Sequence, residues 1–312
     1  MYLDPAESRE VGVISHGHSD HIGRHQHYFA TGPTSSFLRL RQGSDLRGTE
    51  IPYGTPHPVG KHTIEFFPAG HILGSAMIRI RNREGQSLLY TGDFRLRPSM
   101  TAEPAEIPEA DAVIMESTYG APQWAFPNRQ VLALRLQSLI EAIHGRNAIP
   151  VVLAYSLGKA QEVCAMLNKS AFKVVVHPVV ARCTELYKLH GVDVGPYEVW
   201  GSQTDLLGRS ATEELRGKVL VIPPHLRAQV RWLRRVETIA ATGWSLHRPD
   251  RGTDHGLPLS DHADFEELIE FAGKCRARVI YVTHGSNGFA RELRRRGFRA
   301  EFLTRRPQMR LF

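Results

Sequence analysis

The stretch 14-ISHGHSDHIG-23 places His16, His18, Asp20 and His21 within six residues. A polar loop would account for any one of them. Three imidazoles and a carboxylate this close together are also the ligand types of catalytic zinc and manganese sites. The stretch continues the apolar run 11-VGVIS-15, so it reads as a strand that ends in a polar loop. The same arrangement recurs further along. TIEFFPAGH (63–71) ends in His71 and SLLYTGD (87–93) ends in Asp93. MIRIR (77–81) is a further strand, and DAVIMEST (111–118) carries Glu116. Far downstream, LSDHAD (259–264) contains His262, and RVIYVTHG (278–285) contains His284. Ligands at successive strand ends converge on one edge of a sheet, where loops normally carry chemistry.

After Pro127 the texture changes. A helical pattern over 128–145 ends at a glycine, and a buried-strand pattern over 148–156 leads into a helix over 158–168. A strand over 173–177, a helix over 179–190 and a strand over 218–224 continue the alternation, which predicts a parallel sheet with crossover helices. From TIAATGW (238–244) the motif-bearing loops return, and FARELRRRG (289–297) reads as a helix closed by Gly297. LHRPDRGTDHGLP (246–258) reads as a polar loop. The expected organisation is an α/β domain made of 1–125 and 240–312, interrupted by a second α/β domain at 126–239.

The chain has 312 residues and a formal net charge of +7. Arginines cluster at Arg227, Arg231, Arg234 and Arg235, at Arg291, Arg294, Arg295, Arg296 and Arg299, and at Arg305 and Arg306. Arg227, Arg231 and Arg235 are four apart and are expected to share a helix face. A basic surface of this kind suits a polyanion such as nucleic acid, and a solvated face is the plain alternative. No apolar run reaches the length of a membrane span, and MYLDPAESRE lacks a charged-then-apolar leader pattern. Cys164, Cys183 and Cys275 form no CxxC pair, which argues against a disulfide framework or a thiolate zinc site. The expectation is a reduced, cytoplasmic protein without membrane contact.

HGHSDH (16–21) resembles the HxHxDH motif of the metallo-β-lactamase fold, and His71 and Asp93 resemble that fold's later motifs. Asp4, in YLDP, resembles its first motif, an acidic residue behind the metals. Glu116, His262 and His284 resemble motifs A, B and C of the β-CASP branch, which is devoted to nucleic-acid cleavage. AYSLGKAQE (154–162) resembles the segment that opens the inserted β-CASP domain. The resemblance runs along nearly the whole chain. It implies an αββα sandwich with an inserted β-CASP α/β domain, and two divalent metal ions, zinc or manganese. His16, His18 and His71 would hold one ion, and Asp20, His21 and His284 the other, with Asp93 bridging. Asp20 therefore counts with both the ligands and the catalytic residues. A hydroxide generated at the metals would attack the phosphodiester in line. His262 is implied to protonate the leaving oxygen, and Glu116 to orient it.

Ser156 and Lys159, in SLGK, are candidates for phosphate binding at a helix start. Ser156 could equally cap that helix. Tyr119, Trp124 and Trp244 flank motif loops and suit either base stacking or buried packing. Arg231 stands for the arginine cluster as a nucleic-acid contact. AYSLGKAQE, ATGW (241–244) and DHGLPLSDHADFEELI (254–269) look most like bacterial ligase-associated DNA exonucleases, which implies DNA repair beside a DNA ligase and a helicase. A histidine at motif C is typical of RNA-processing members, so an exo- or endonuclease resembling ribonuclease J or an mRNA 3′-end processing factor is the alternative. A small-molecule metallo-hydrolase and a non-catalytic nucleic-acid-binding paralogue are the readings from other classes. Relatives carry one or two strands ahead of the Asp-Pro segment. Here Asp4 stands two residues after Tyr2, so its role is the least anchored of the set.

Overall fold

Alternation of side-chain direction along the strands sorts the first part of the chain into layers. The structure, a computed structural model, describes residues 1–201, 209–247 and 252–303, so Arg305 and Arg306 lie outside the described residues. Strands β1 (Tyr2–Leu3), β2 (Val11–Val13), β3 (His27–Ala30) and β4 (Gly48–Glu50) form a parallel sheet in that order, with helix α1 (Gly32–Gln42) between β3 and β4. Thr31 caps α1 by accepting from the Thr34 amide, and Pro33 occupies its first turn. Phe29 on β3 joins Val13, Ile64, Phe66 and Ile78 in one apolar cluster. Its neighbours Tyr28 and Ala30 turn the other way, to Ile14 and to Leu38 of α1.

The second sheet collects β5 (His57–Val59), β6 (His62–Pro68), β7 (Ala76–Arg81), β8 (Ser87–Tyr90) and β9 (Ala112–Glu116). Pairing is antiparallel from β5 to β8 and parallel between β8 and β9.

From residue 126 the chain builds a separate compact unit. It contains α2 (Arg129–Gly145), β10 (Ile149–Leu153), α3 (Lys159–Leu167), β11 (Lys173–Val176), α4 (Pro178–Leu189), β12 (Glu198–Val199), α5 (Arg209–Glu214), β13 (Lys218–Ile222), β14 (Val236–Ala241) and β15 (His255–Leu257). Its six strands form an all-parallel sheet, ordered β12-β11-β13-β10-β14-β15. Val-, Ile- and Leu-rich runs such as 149–153 are what parallel strands buried on both faces require.

The boundary expected at residue 240 falls inside β14. Because β14 and β15 both pair in this sheet, the unit runs on to Asp261. Its last two residues are gripped from within it. Buried Arg129 donates to the Ser260 carbonyl at 2.7 Å and to both oxygens of buried Glu162, and Lys159 pairs with Asp261.

The chain then returns to the first unit with α6 (Phe265–Lys274), β16 (Val279–Thr283), α7 (Asn287–Arg295) and β17 (Ala300–Phe302). β16 pairs parallel with β9, completing a seven-stranded sheet ordered β17-β16-β9-β8-β7-β6-β5. A capping box between Asp264 and Glu267 starts α6. Phe265, Leu268 and Phe271 of α6 and Phe289 and Leu293 of α7 pack on Met77, Leu89, Val113 and Ile280 of that sheet. With α1 outside one sheet and α6 and α7 outside the other, this unit is an αββα sandwich.

The arginine run at 227–235 differs from expectation. Pro223 and Pro224 open a 3-10 segment, Pro224–Val230, and turns follow. Leu233 is buried in the sheet's core, and Arg235 has φ of 54°. Arg227, Arg231 and Arg235 therefore do not share an α-helix face.

Phe271 is fully buried between α6 and the seven-stranded sheet. Replacing it with Ala is expected to cost ~3–5 kcal/mol of stability, read as a lower urea midpoint at unchanged slope.

Candidate metal centre

Each ligand-bearing loop is held by its own local device. The Asp4 carboxylate accepts from the Ser15 amide at 2.7 Å, the Tyr90 hydroxyl at 3.0 Å, His21 Nδ1 at 2.9 Å and the Ser15 hydroxyl. This grip fixes the His21 ring so that Nε2 lies 3.5 Å from Asp93 Oδ2. A carboxylate behind a ligating imidazole sets its tautomer and orientation. The Ser75 hydroxyl accepts from the amides of His71 and Ile72 and so shapes the His71 loop. Gly92, with φ of 54°, lies so close to Ser15 that a Cβ would come within 2.7 Å of that side chain, and Asp93 follows it.

Among the described residues, five non-glycine residues have left-handed backbone: Asp4, Asn147, Arg235, Arg276 and His284. Asn147 and Arg276 end helices, where that conformation is ordinary. Asp4 and His284 end no helix, and both are candidate site residues. Such conformations persist only where the surroundings impose them. For His284, Ser117 does so. Its amide donates to the His284 carbonyl at 3.1 Å, and its hydroxyl bonds the carbonyls of Thr283 and His284.

Around Asp93 the imidazoles crowd together. His16 Nε2 is 3.6 Å and His71 Nε2 is 3.8 Å from Asp93 Oδ2. His71 Nε2 is 3.1 Å from His18 Nδ1, a spacing that a shared proton or a shared cation satisfies. His16, His18, His71 and Asp93 offer ligand atoms that all lie within 4.8 Å of one another. His16 Nε2 is buried and has no hydrogen-bond partner among the described residues. A buried nitrogen facing a carboxylate and two further imidazoles fits a cation. These four residues could hold a divalent metal ion.

The residues expected around a second ion are more open. His21 is buried, but the Asp20 side chain is 79% exposed, with Oδ2 3.8 Å from His21 Nε2. His284 is exposed, and its ring centre is 5.8 Å from that of His21.

Electrostatics divides the imidazoles. Burial, followed by the neighbouring His21, His71, His18 and His262, holds His16 well below its ordinary value, so it is neutral and its lone pair is free. Burial also pushes His21 down, but Asp4, Asp93 and Asp20 overcome it and raise His21 to about 9. Burial raises Asp93 to about 6, opposed by His262 and helped by Glu116.

Glu116 ends β9. Burial alone would favour its neutral form, yet His262, Thr118 and the Phe94 amide hold it below its ordinary value. Both its oxygens meet His262 Nδ1, at 3.0 and 2.9 Å, and the Phe94 amide donates to it at 2.8 Å. The His262 ring centre is 4.7 Å from that of His71.

The supports of this cluster, Ser15, Tyr90, Thr118 and Ser117, were not singled out in the sequence. Ser15 and Ser117 adjoin motif residues, which is the one available signal. The expected nucleic-acid contacts fall elsewhere. Tyr119 is buried, packed on Trp124 with ring centres 5.0 Å apart and edge-on to His262. Lys159 is buried in an ion pair with Asp261 rather than presented to a phosphate. Helix α3 starts at Gly158, with φ of 90°, and Ser156 does not cap it; its carbonyl accepts from Gln161. Arg231 is exposed, its guanidinium 4.7 Å over the Trp232 ring.

A family profile described as "Zn-dependent metallo-hydrolase RNA specificity domain" matches residues 255–302, a span that includes His262 and His284. The chain is 33% identical over 310 residues to a protein of Opitutus terrae named "Probable DNA ligase", covering 96% of this chain and 29% of that protein. It is 30% identical over 297 residues to "5' exonuclease Apollo" of Gallus gallus, covering 89% of this chain and 59% of that protein. The chain thus spans less than two thirds of these relatives. A solved structure, a protein of unknown function from Enterococcus faecalis, superposes with a TM-score of 0.63 at 14% identity, covering 96% of this chain and 80% of that one. That likeness concerns the fold alone. Sandwich, candidate metal cluster and relatives together resemble those of the metallo-hydrolases. The profile and these relatives support a place in the β-CASP branch of the metallo-β-lactamase family. Among the described residues no helix is long and apolar enough to cross a membrane.

His18→Ala and Asp93→Ala are each expected to lose the bound ion, seen as a fall in metal per chain by elemental analysis of protein purified without chelator. Loading should also release protons, because His21 binds a metal only when deprotonated. Raised to about 9, His21 keeps its proton at pH 7 in the metal-free protein and loses it as pH climbs through that value. Zinc affinity should therefore rise between pH 6 and 9. Titration calorimetry in buffers of different ionisation enthalpy should count about one proton released per His21 engaged at pH 7.

Proposed function

We propose that this chain is a metal-dependent phosphodiesterase that cleaves nucleic acid, a DNA exonuclease working in repair with two zinc ions. The observation that carries this reading is His262. Both oxygens of a buried glutamate hold its Nδ1, beside the ligand cluster. With Nδ1 held by Glu116, Nε2 is the ring nitrogen that would give a proton to a leaving oxygen, and the Glu116 carboxylate would stabilise the ring while it carries that proton. The metal ions would activate water and offset charge on the phosphate. His16, His18, His71 and Asp93 would hold the first ion, and Asp20, His21 and His284, with Asp93 shared, the second. Asp4 would orient His21.

The DNA reading draws support from the Opitutus protein. Its name is that of a DNA ligase, and it matches this chain over nearly its whole length. An exonuclease draws support from the name of the Gallus relative. RNA is the second reading, favoured by the family profile over 255–302. Matched single- and double-stranded DNA and RNA, labelled at either end and given zinc or manganese, decide among these. Stepwise shortening of DNA alone is the expected result. Preferential loss of RNA overturns the DNA assignment, and no cleavage of any strand overturns the nuclease reading.

His262→Ala is expected to keep its metal and slow cleavage by ~100- to 10,000-fold. Loss of metal in that variant would move His262 from proton donor to ligand. Glu116→Gln should keep the metal as well and lower kcat more than it raises KM.

A further inference from the structure

The parallel sheet of the second unit has two edges. In open α/β sheets, ligands bind beyond the carboxyl ends of the strands, the edge that carries AYSLGK after β10. The opposite edge nevertheless holds a cavity of about 510 Å³. Its walls come from the residues just before β10, β13 and β14, with Arg216, Arg234 and Arg235 beside His144, Thr212 and Glu213. Among the described residues no carboxylate pairs with these three arginines, whereas Arg79, Arg129, Arg146 and Arg278 each have an acidic partner. Three guanidinium groups around one carboxylate leave the cavity positive.

The wall is also built rigidly. Arg235 has φ of 54° without ending a helix, and its carbonyl accepts from the Ile149 amide at 2.7 Å. The Arg234 amide donates to Thr212 Oγ1 at 3.1 Å. Two residues before Arg234 on the same turn stands Trp232, 61% exposed, with Arg231 stacked on its ring. Exposing a tryptophan forgoes a large apolar burial, and base stacking is a use that repays it.

From this we infer that the second unit carries an accessory strand-binding site, in which Arg216, Arg234 and Arg235 receive a backbone phosphate of single-stranded nucleic acid and Trp232 stacks on a neighbouring base. It rests on the nuclease reading only for the identity of the polymer. Bidentate guanidinium contacts to phosphate carry no sequence information, so the site would add hold without sequence preference.

The test is equilibrium binding of the metal-loaded full chain to a labelled single-stranded 20-mer with phosphorothioate linkages, so that cleavage does not blur the reading. Arg216→Ala/Arg234→Ala/Arg235→Ala should weaken binding at least ~10-fold and reduce the salt slope by about 0.7, since each phosphate neutralised on a single strand adds ~0.7 to that slope. Trp232→Ala, a surface change that leaves the fold intact should the triple variant unfold, should cost about 10-fold, the lower part of the range for a stacked base. Unchanged affinity and salt slope in either folded variant would overturn the site. A nucleoside 5′-monophosphate that quenches Trp232 fluorescence as fully as the 20-mer does, and displaces that 20-mer, would assign the cavity to free nucleotides and overturn the strand proposal. Because binding is read without turnover, a chain that cleaves nothing but loses affinity in these variants would sink the nuclease reading and keep this one.

Discussion

One carboxylate surrounded by imidazoles organises the first unit. Asp93 Oδ2 lies within 4.0 Å of nitrogens from His16, His21, His71 and His262. Four rings crowded this closely cannot all carry protons, and one buried carboxylate cannot satisfy four neutral ones. A divalent cation would resolve the conflict by giving the lone pairs a common acceptor of electron density. The rest of the sandwich exists around that constraint. Two sheets bring separate strand ends to one edge, Asp4 steers His21, and Ser117 forces the left-handed turn at His284.

The candidate ligands were legible because metal chemistry restricts residue type and because strand ends deliver them in short motifs. HGHSDH, PAGH, TGD and THG announce themselves by composition at the end of apolar runs. The αββα layering was legible for a related reason: alternating residues such as Phe29 against Tyr28 and Ala30 assign each strand two faces. Elements without a strong period, such as α1 with its serines and threonines, left little trace.

Other features depend on distance in space rather than on residue type. Tyr90 reaches Asp4 across 86 positions of sequence, and neither residue signals the other. Lys159 read as a phosphate ligand because SLGK opens a helix, yet its charge is matched by Asp261, 102 residues on. The spacing of Arg227, Arg231 and Arg235 matched a helix face, but two prolines and the burial of Leu233 bend that segment otherwise. The same bend puts Arg234 and Arg235 beside Arg216, a grouping that depends on where strands of the sheet begin. The return point of the insertion was obscured for a similar reason, since β14 and β15 join their sheet by pairing that no local pattern announces.

Glu116 lies between two chemical tasks. It accepts from the amide of Phe94, the residue after Asp93, and it holds His262 with both oxygens. Asp93 and Glu116 repel one another, and positive charge nearby relieves that repulsion whether it arrives as a dication or as a proton on His262. A dication held at Asp93 would therefore relieve the same repulsion that Glu116 otherwise shares with His262.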